Sequence, residues 1–410
     1  MQTKTIIRYV LVALIVLIIG ALAGWYLFLR GQSQTTSAQD AARGFGASTP
    51  SANQNGSTFG NSQSTGGSAS GSQGSPAQLW HVVSTPIAGL GFVNDVGGQN
   101  VHFVERSTGN ILAANPATGA ITRLTNTLIP KVYEAIIAPD GSLIERSLAA
   151  DGSVASFAGS ASSTQTTESA TSSPLQLIGT ILPKNIEEIA INPSTDELFY
   201  TTASAGGITG IRSQWNAAKQ KNVFASPLSG WRITWLPDGR IILLEAPVDG
   251  ISGYAYSLKN DGTLIPLVRA IQGLTILPRS KSSAMLYGSS AGGSITLMAQ
   301  VSASSTPVQL PIKTIPDKCV WAPGAGLVAY CAVPQVTPAG NFLTSWYQGL
   351  LHTADAWWRV DASAGVAQEI YTPSSSVSLD VENPAIDASG THIAFMNGAD
   401  QSLWILSLNK

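Results

Sequence analysis

Along residues 232–244 the apolar and polar positions spell a complete hairpin. Ile233 and Trp235 alternate with polar neighbours as in a half-buried strand, while Ile241, Ile242, Leu243 and Leu244 form an unbroken apolar run suited to a strand covered on both faces. Between them Pro237 presets one turn dihedral, Asp238 tolerates the bend and Gly239 accepts a positive φ. The pattern predicts strand, tight turn, strand.

The same unit recurs at residues 91–104, 135–144, 189–200, 274–287, 319–330 and 384–395. Aligned on Asp95, Pro139, Pro193, Pro237, Pro278, Pro323 and Ala388, the turns are spaced by 44, 54, 44, 41, 45 and 65 residues. A base period near 44 residues with room for about four strands is the signature of a β-propeller blade, and no 3.6-residue apolar period runs through the units. The fold expected for residues 77–410 is therefore all-β, a β-propeller of seven four-stranded blades, with six or eight as the alternatives if one weak repeat is misread. Residues 78–83 alternate like a lone strand, and the chain stops after the third strand of the seventh unit at residues 402–408. An open ring would leave exposed edges, so the N-terminal strand is expected to supply the fourth strand of the last blade.

The stretches around Trp235-Leu236-Pro237-Asp238-Gly239 and Ala138-Pro139-Asp140-Gly141 resemble the repeats of TolB-like and WD-repeat-like propellers, over roughly residues 89–410. The resemblance implies the fold and a role as binding platform, envelope or secretion component, or accessory domain of a peptidase. Two copies depart from the pattern: the turn after Pro278 lacks Asp-Gly, and Ala388 stands where the others have proline. TolB-like proteins usually carry a small N-terminal α/β domain, and here that place is taken by an apolar stretch and a linker.

Residues 1–8 form a short tail, and no charge occurs between Tyr9 and Leu29. At 1.5 Å per residue a helix of that length spans about 31 Å, so residues 9–30 are expected to be a single transmembrane helix. A cleaved signal peptide is the rival reading, but apolar sequence continues through Trp25, Tyr26 and Phe28 to the end anchor Arg30. Lys4 and Arg8 lean towards a cytoplasmic N-terminus, which places the propeller on the extracytoplasmic side. Gly20 and Gly24 match the small-xxx-small spacing that lets membrane helices approach, and a homodimer through this helix is one reading of them. Residues 31–76, almost wholly Ser, Gly, Thr, Gln, Asn and Ala, are expected to be a disordered tether reaching roughly 35–40 Å.

Two insertions lengthen the period. Residues 158–174 are Ser/Thr-rich and read as a loop. In residues 341–351 Phe342, Leu343, Trp346, Tyr347, Leu350 and Leu351 share a helical apolar face, and a strand with Trp357 and Trp358 follows. Trp346, Tyr347, Gln348, Leu350, Trp357 and Trp358 are the candidate binding patch, because Trp and Tyr dominate interface energetics; satellite core packing is the other reading.

Cys319 and Cys331 lie symmetrically about the turn at Ala325, opposite one another across a hairpin, within reach of a disulfide. Such a bond persists only in an oxidising compartment, and a pair of reduced thiols is the alternative. Two thiols without a companion Cys or nearby His leave a metal short of ligands, so neither metal nor cofactor is expected. Charged residues are 11% and the net charge is −2, with no basic stripe, which argues against nucleic acid. The string Gly288-Ser289-Ser290-Ala291-Gly292 matches a nucleophile elbow but sits between strands, where that motif needs a strand turning into a helix. His81, His102, His352 and His392 are scattered. The chain is thus read as a non-enzymatic, membrane-anchored propeller that binds a protein or peptide. The alternative is a small-ligand or carbohydrate-binding propeller, enzymatic through its central funnel, in which acids such as Asp238, Glu245 or Asp317 would matter.

Overall fold

The computed structural model describes residues 77–96, 98–162 and 175–409. The expected membrane helix with Gly20 and Gly24, the tether at 31–76 and most of the 158–174 insertion lie outside the described residues. Within residues 71–410, the compact unit, the strands form seven four-stranded antiparallel sheets.

Strand β1 (Leu79–Val83) precedes blade 1, which comprises β2 (Ile87–Asp95), β3 (Gly98–Glu105), β4 (Ile111–Ala114) and β5 (Ile121–Arg123). Blade 2 is β6 (Val132–Ile137), β7 (Ser142–Leu148), β8 (Val154–Ser162) and β9 (Gln176–Ile181), and blade 3 is β10 (Ile186–Ile191), β11 (Glu197–Ser204), β12 (Gly207–Gln214) and β13 (Lys221–Ser226). Blade 4 runs through β14 (Trp231–Trp235), β15 (Ile241–Glu245), β16 (Ser252–Leu258) and β17 (Leu264–Gln272), and blade 5 through β18 (Thr275–Pro278), β19 (Met285–Ala291), β20 (Ser294–Gln300) and β21 (Val308–Gln309). Blade 6 is β22 (Cys319–Trp321), β23 (Val328–Pro334), β24 (Asp355–Asp361) and β25 (Val366–Tyr371). Blade 7 is β26 (Val381–Ile386), β27 (His392–Asn397) and β28 (Leu403–Ser407), and β1 completes it by pairing antiparallel with β28, Trp80 opposite Ile405. The ring therefore closes as the strand count required. One detail differs: residues 158–162, read as loop, continue β8, where Ala158 pairs with Thr180 on β9.

The second strand of each blade explains the unbroken apolar runs. Side chains alternate across a strand, and each blade has a neighbour on both faces. Leu243 therefore enters the core between blades 3 and 4 while Leu244 enters the core between blades 4 and 5. Ile144 and Leu143 likewise split between the two sides of blade 2. Blades 1 and 2 meet closely enough that a Cβ on Gly89 would lie 1.9 Å from the Ala135 carbonyl oxygen, so only glycine fits there.

The two faces of the ring are built differently. Turns between first and second strands all fall on one, the turn face, and most are tied to a neighbouring blade by a hydrogen bond. Asn94 N–H donates to the Pro139 carbonyl at 3.0 Å, Ser194 Oγ to the Pro237 carbonyl at 2.9 Å, and Lys281 N–H to Asp238 Oδ2 at 2.6 Å. Arg279 continues the series by donating to the Gly324 carbonyl at 2.5 Å, and Ala388 N–H donates to Gln99 Oε1 at 2.7 Å. The other face, the loop face, carries the links between blades and those between second and third strands.

Candidate functional site at the channel mouth

The innermost strands enclose a central cavity of about 390 Å³. Its apolar wall includes Ile136, Ile189, Ile233, Ile276, Leu277 and Pro384, and its polar lining includes Glu134, Glu188, Arg232, Asp317 and Asn383. Glu134, Glu188, Arg232 and Asn383 sit near the loop-face ends of β6, β10, β14 and β26, while Asp317 lies on the 3-10 turn Pro316–Lys318 that leads into β22.

Most of these charges are already paired. Arg146 Nη1 donates to Glu134 Oε2 at 2.5 Å, and its Nη2 to the carbonyls of Ile186 and Glu187 at 2.7 and 3.0 Å. Arg232 Nη1 donates to Asp317 Oδ1 at 2.6 Å and lies 2.5 Å from the Tyr347 hydroxyl, its guanidinium 4.7 Å from the centre of the Tyr347 ring. The Glu188 carboxyl has no hydrogen-bond partner among the described residues. Burial, reinforced by Glu134, pushes it up to about 7 against the pull of Arg146 and Arg232. A carboxyl in that range, lining a cavity, can take a proton or a cation near neutral pH.

One rim of the mouth is the blade 6 insertion. Its helix, α1 (Phe342–Tyr347), buries Phe342, Leu343 and Trp346 against Ile295 and Ile315. Asn341 makes no side-chain cap, so Asp249 of blade 4 does that work across the ring, its Oδ2 accepting from Thr344 N–H at 2.7 Å. Below the helix the fully buried Lys318 Nζ sits 2.7 Å from Asp355 Oδ2 and 2.6 Å from Asp380 Oδ1. Asp380 also accepts from Trp346 Nε1 and pairs with His352 Nδ1, both at 2.9 Å. Burial raises the Asp355 carboxyl, whereas for Asp380 the Lys318 ammonium and these hydrogen bonds outweigh burial and hold it low.

The candidate aromatic patch is not one surface. Alternation along β24 turns Trp357 into the core between blades 6 and 7, 5.3 Å from the Phe395 ring, and Trp358 towards the core between blades 5 and 6. Trp346 lies under α1. These three rings pack as core, while Tyr347 reaches the channel and Gln348 and Leu350 stay exposed beside it. Of the acids named for the funnel reading, Asp317 lines the cavity; Asp238 is a turn-face residue paired with Arg240 at 2.7 Å, and Glu245 ends β15. Ser289 and Ser290 of the elbow-like string lie within β19, Ser290 bonding Asp249. Cys319 and Cys331 pair directly across β22 and β23 and form a disulfide within the core between blades 5 and 6.

Glu134, Glu188 and Arg232 escaped the sequence reading although a signal existed. Each stands five residues before its turn proline, at 139, 193 and 237, and Asn383 stands five before Ala388. A column comparison of the repeats, rather than a search for motifs along the chain, exposes that ring of polar residues.

No family model and no curated protein matches the sequence. Among solved structures the chain is similar to Chaetomium thermophilum Sqt1 bound to the N-terminus of the ribosomal protein L10, at 12% identity and TM-score 0.45, covering 80% of this chain and 98% of that one. It is similar to XC5397 of Xanthomonas campestris, a gluconolactonase, at 13% identity and TM-score 0.37, covering 80% and 89%. It also resembles the extracellular domain of the putative one component system BT4673 from B. thetaiotaomicron, at 12% identity and TM-score 0.45, covering 78% of this chain and 38% of that one. These likenesses extend to the fold alone. The chain is a seven-bladed all-β propeller with a charged central cavity.

Proposed function

We propose that this is a membrane-tethered, extracytoplasmic propeller whose loop face docks a protein or peptide, as a scaffold of the cell envelope or of a secretion assembly. The observation that carries the docking reading is where exposed large apolar side chains fall. On the loop face are Leu128 and Leu228 at links between blades, Ile181 and Leu148 at the loop-face ends of β9 and β7, Val248 and Ile251 at a link between second and third strands, and Val336 and Leu350 on the insertion. Among the described residues fewer fall on the turn face: Val96, and Ile121, Val308 and Val366 at the turn-face ends of the outermost strands β5, β21 and β25; Ile178 and Ile265 lie along outermost strands. Apolar surface rimmed by polar residues and gathered around a cavity marks an interaction site. The uncharged stretch at 9–29, ended by Arg30, supports the tether, and the Cys319–Cys331 bond supports an oxidising compartment.

The test is in-cell crosslinking and pull-down of the full-length protein against the pair Ile251→Glu with Leu350→Glu. The partner retained by the parent is expected to be lost from this pair and kept by Ile121→Glu with Val366→Glu on the outer rim. Equal retention by both pairs would contradict loop-face docking.

A second reading, a small-ligand or carbohydrate site with acid–base chemistry in the same cavity, is favoured by the convergence of Glu134, Glu188 and Asp317 on it. It predicts substrate turnover that Glu188→Gln abolishes.

A further inference from the structure

The cavity lining contains three carboxylates, and two are neutralised by guanidinium groups: Glu134 by Arg146 and Asp317 by Arg232. Glu188 is the acid left over, so the lined space carries one unmatched negative charge. An anion would have to displace a formed ion pair, whereas a cation finds an acceptor ready. The wall around Glu188 is aliphatic, and aliphatic walls suit the methylene stem of a long basic side chain whose charged head reaches a buried acceptor. At about 390 Å³ the cavity is at the small end of ligand-sized pockets, suited to one side chain rather than an oligomer. Its polar lining lies near the loop-face ends of the innermost strands, where Arg232 meets Tyr347 of the insertion on the proposed docking face.

We propose that the cavity receives a lysine or arginine side chain of the docked polypeptide, its ammonium or guanidinium seated on Glu188. This rests on the loop-face reading and names what the docked chain inserts. The groups that face Glu188 are Glu134 and Tyr133 from β6, Arg146 from β7, Glu187 from its own strand and Arg232 from β14, with Asp317 and Tyr347 behind Arg232. Because a bound cation holds Glu188 ionised, binding below about pH 7 expels a proton, and affinity rises with pH until Glu188 is ionised in the free protein.

The probes are agmatine and acetyl-lysine methylamide, with acetyl-norleucine methylamide as the uncharged control, titrated calorimetrically into the full-length protein. Both basic probes are expected to bind at about pH 8, to weaken at least about tenfold at about pH 5.5, and to weaken at least about tenfold in Glu188→Gln. Glu188→Asp, which keeps the charge, retains the pH dependence and controls for folding. The proposal is overturned if norleucine binds as well as lysine, if Glu188→Gln keeps the affinity, or if neither basic probe binds. Partner crosslinking of Glu188→Gln separates the two readings. A partner retained at full strength while the amine is lost overturns insertion of a basic side chain and leaves docking intact. Amine binding by a protein that crosslinks nothing contradicts docking, and with it the claim that a docked chain supplies the cation.

Discussion

At Ala388 a departure from the repeat has a physical reason. The other turn residues at this position are mostly proline, which has no N–H, while Ala388 N–H donates to Gln99 Oε1 at 2.7 Å and ties blade 7 to blade 1 where the ring closes. Ala388→Pro is expected to cost about 1 kcal/mol in denaturant unfolding, and Gln99→Ala a similar amount. Because both remove the same bond, the double variant should lose less than their sum; full additivity would deny the bond. Glu145 is the clearest buried liability: it is 1% exposed, neither carboxyl oxygen has a partner among the described residues, and burial pushes its pKa up to about 8. The folded state then holds a proton that the unfolded chain has released between pH 4.5 and about 8, so stability falls as pH rises through that window and levels off above it. Glu145→Gln should flatten this fall, gaining on the order of 3–5 kcal/mol on the parent between about pH 5 and pH 8.5 in urea unfolding. An unchanged slope would place the titration elsewhere. Apolar alternation revealed none of this, because it marks which positions are buried and is silent about a charged residue buried among them.

Among the elements, the blade hairpins were legible because turn chemistry and strand alternation agree. The turn after Pro278 was the weak copy, and there Lys281 adopts a φ of 55° and donates to Asp238 of the preceding blade, replacing the missing glycine with a contact between blades. The Cys319–Cys331 pairing followed from hairpin symmetry, and the structure places it between blades 5 and 6. Closing so short a loop should stabilise by roughly 2–3 kcal/mol. A Cys319→Ser, Cys331→Ser protein is expected to unfold at lower denaturant and to be insensitive to a reductant that destabilises the parent. Helix α1 was legible too, with core packing and a binding patch as its two readings. A helical apolar face says that something is covered, not what, and here Phe342, Leu343 and Trp346 cover Ile295 and Ile315.

For the whole molecule, period and strand count were enough for a closed ring of seven, since a missing fourth strand and a spare first strand have one economical solution. The channel was not legible in the same way. It is built from single residues contributed by different blades, so no local motif draws them together: Glu134, Glu188 and Arg232 share a column only when the repeats are aligned on their turn prolines, and Asp317, six residues before Pro323, falls outside it. The ring also makes its faces unequal: turn-to-turn hydrogen bonds hold one, and the other gathers the cavity mouth, the insertion and most of the exposed apolar side chains. That inequality is the basis of the docking claim, and site-resolved photocrosslinking in cells tests it most directly. A photoreactive residue is placed in turn at Leu228, Ile251 and Leu350 on the loop face, and at Asp140, Asp196 and Ser389 on the turn face. The account predicts a discrete adduct from the loop-face positions and none from the turn face; adducts from the turn face alone, or equally from both, would contradict it.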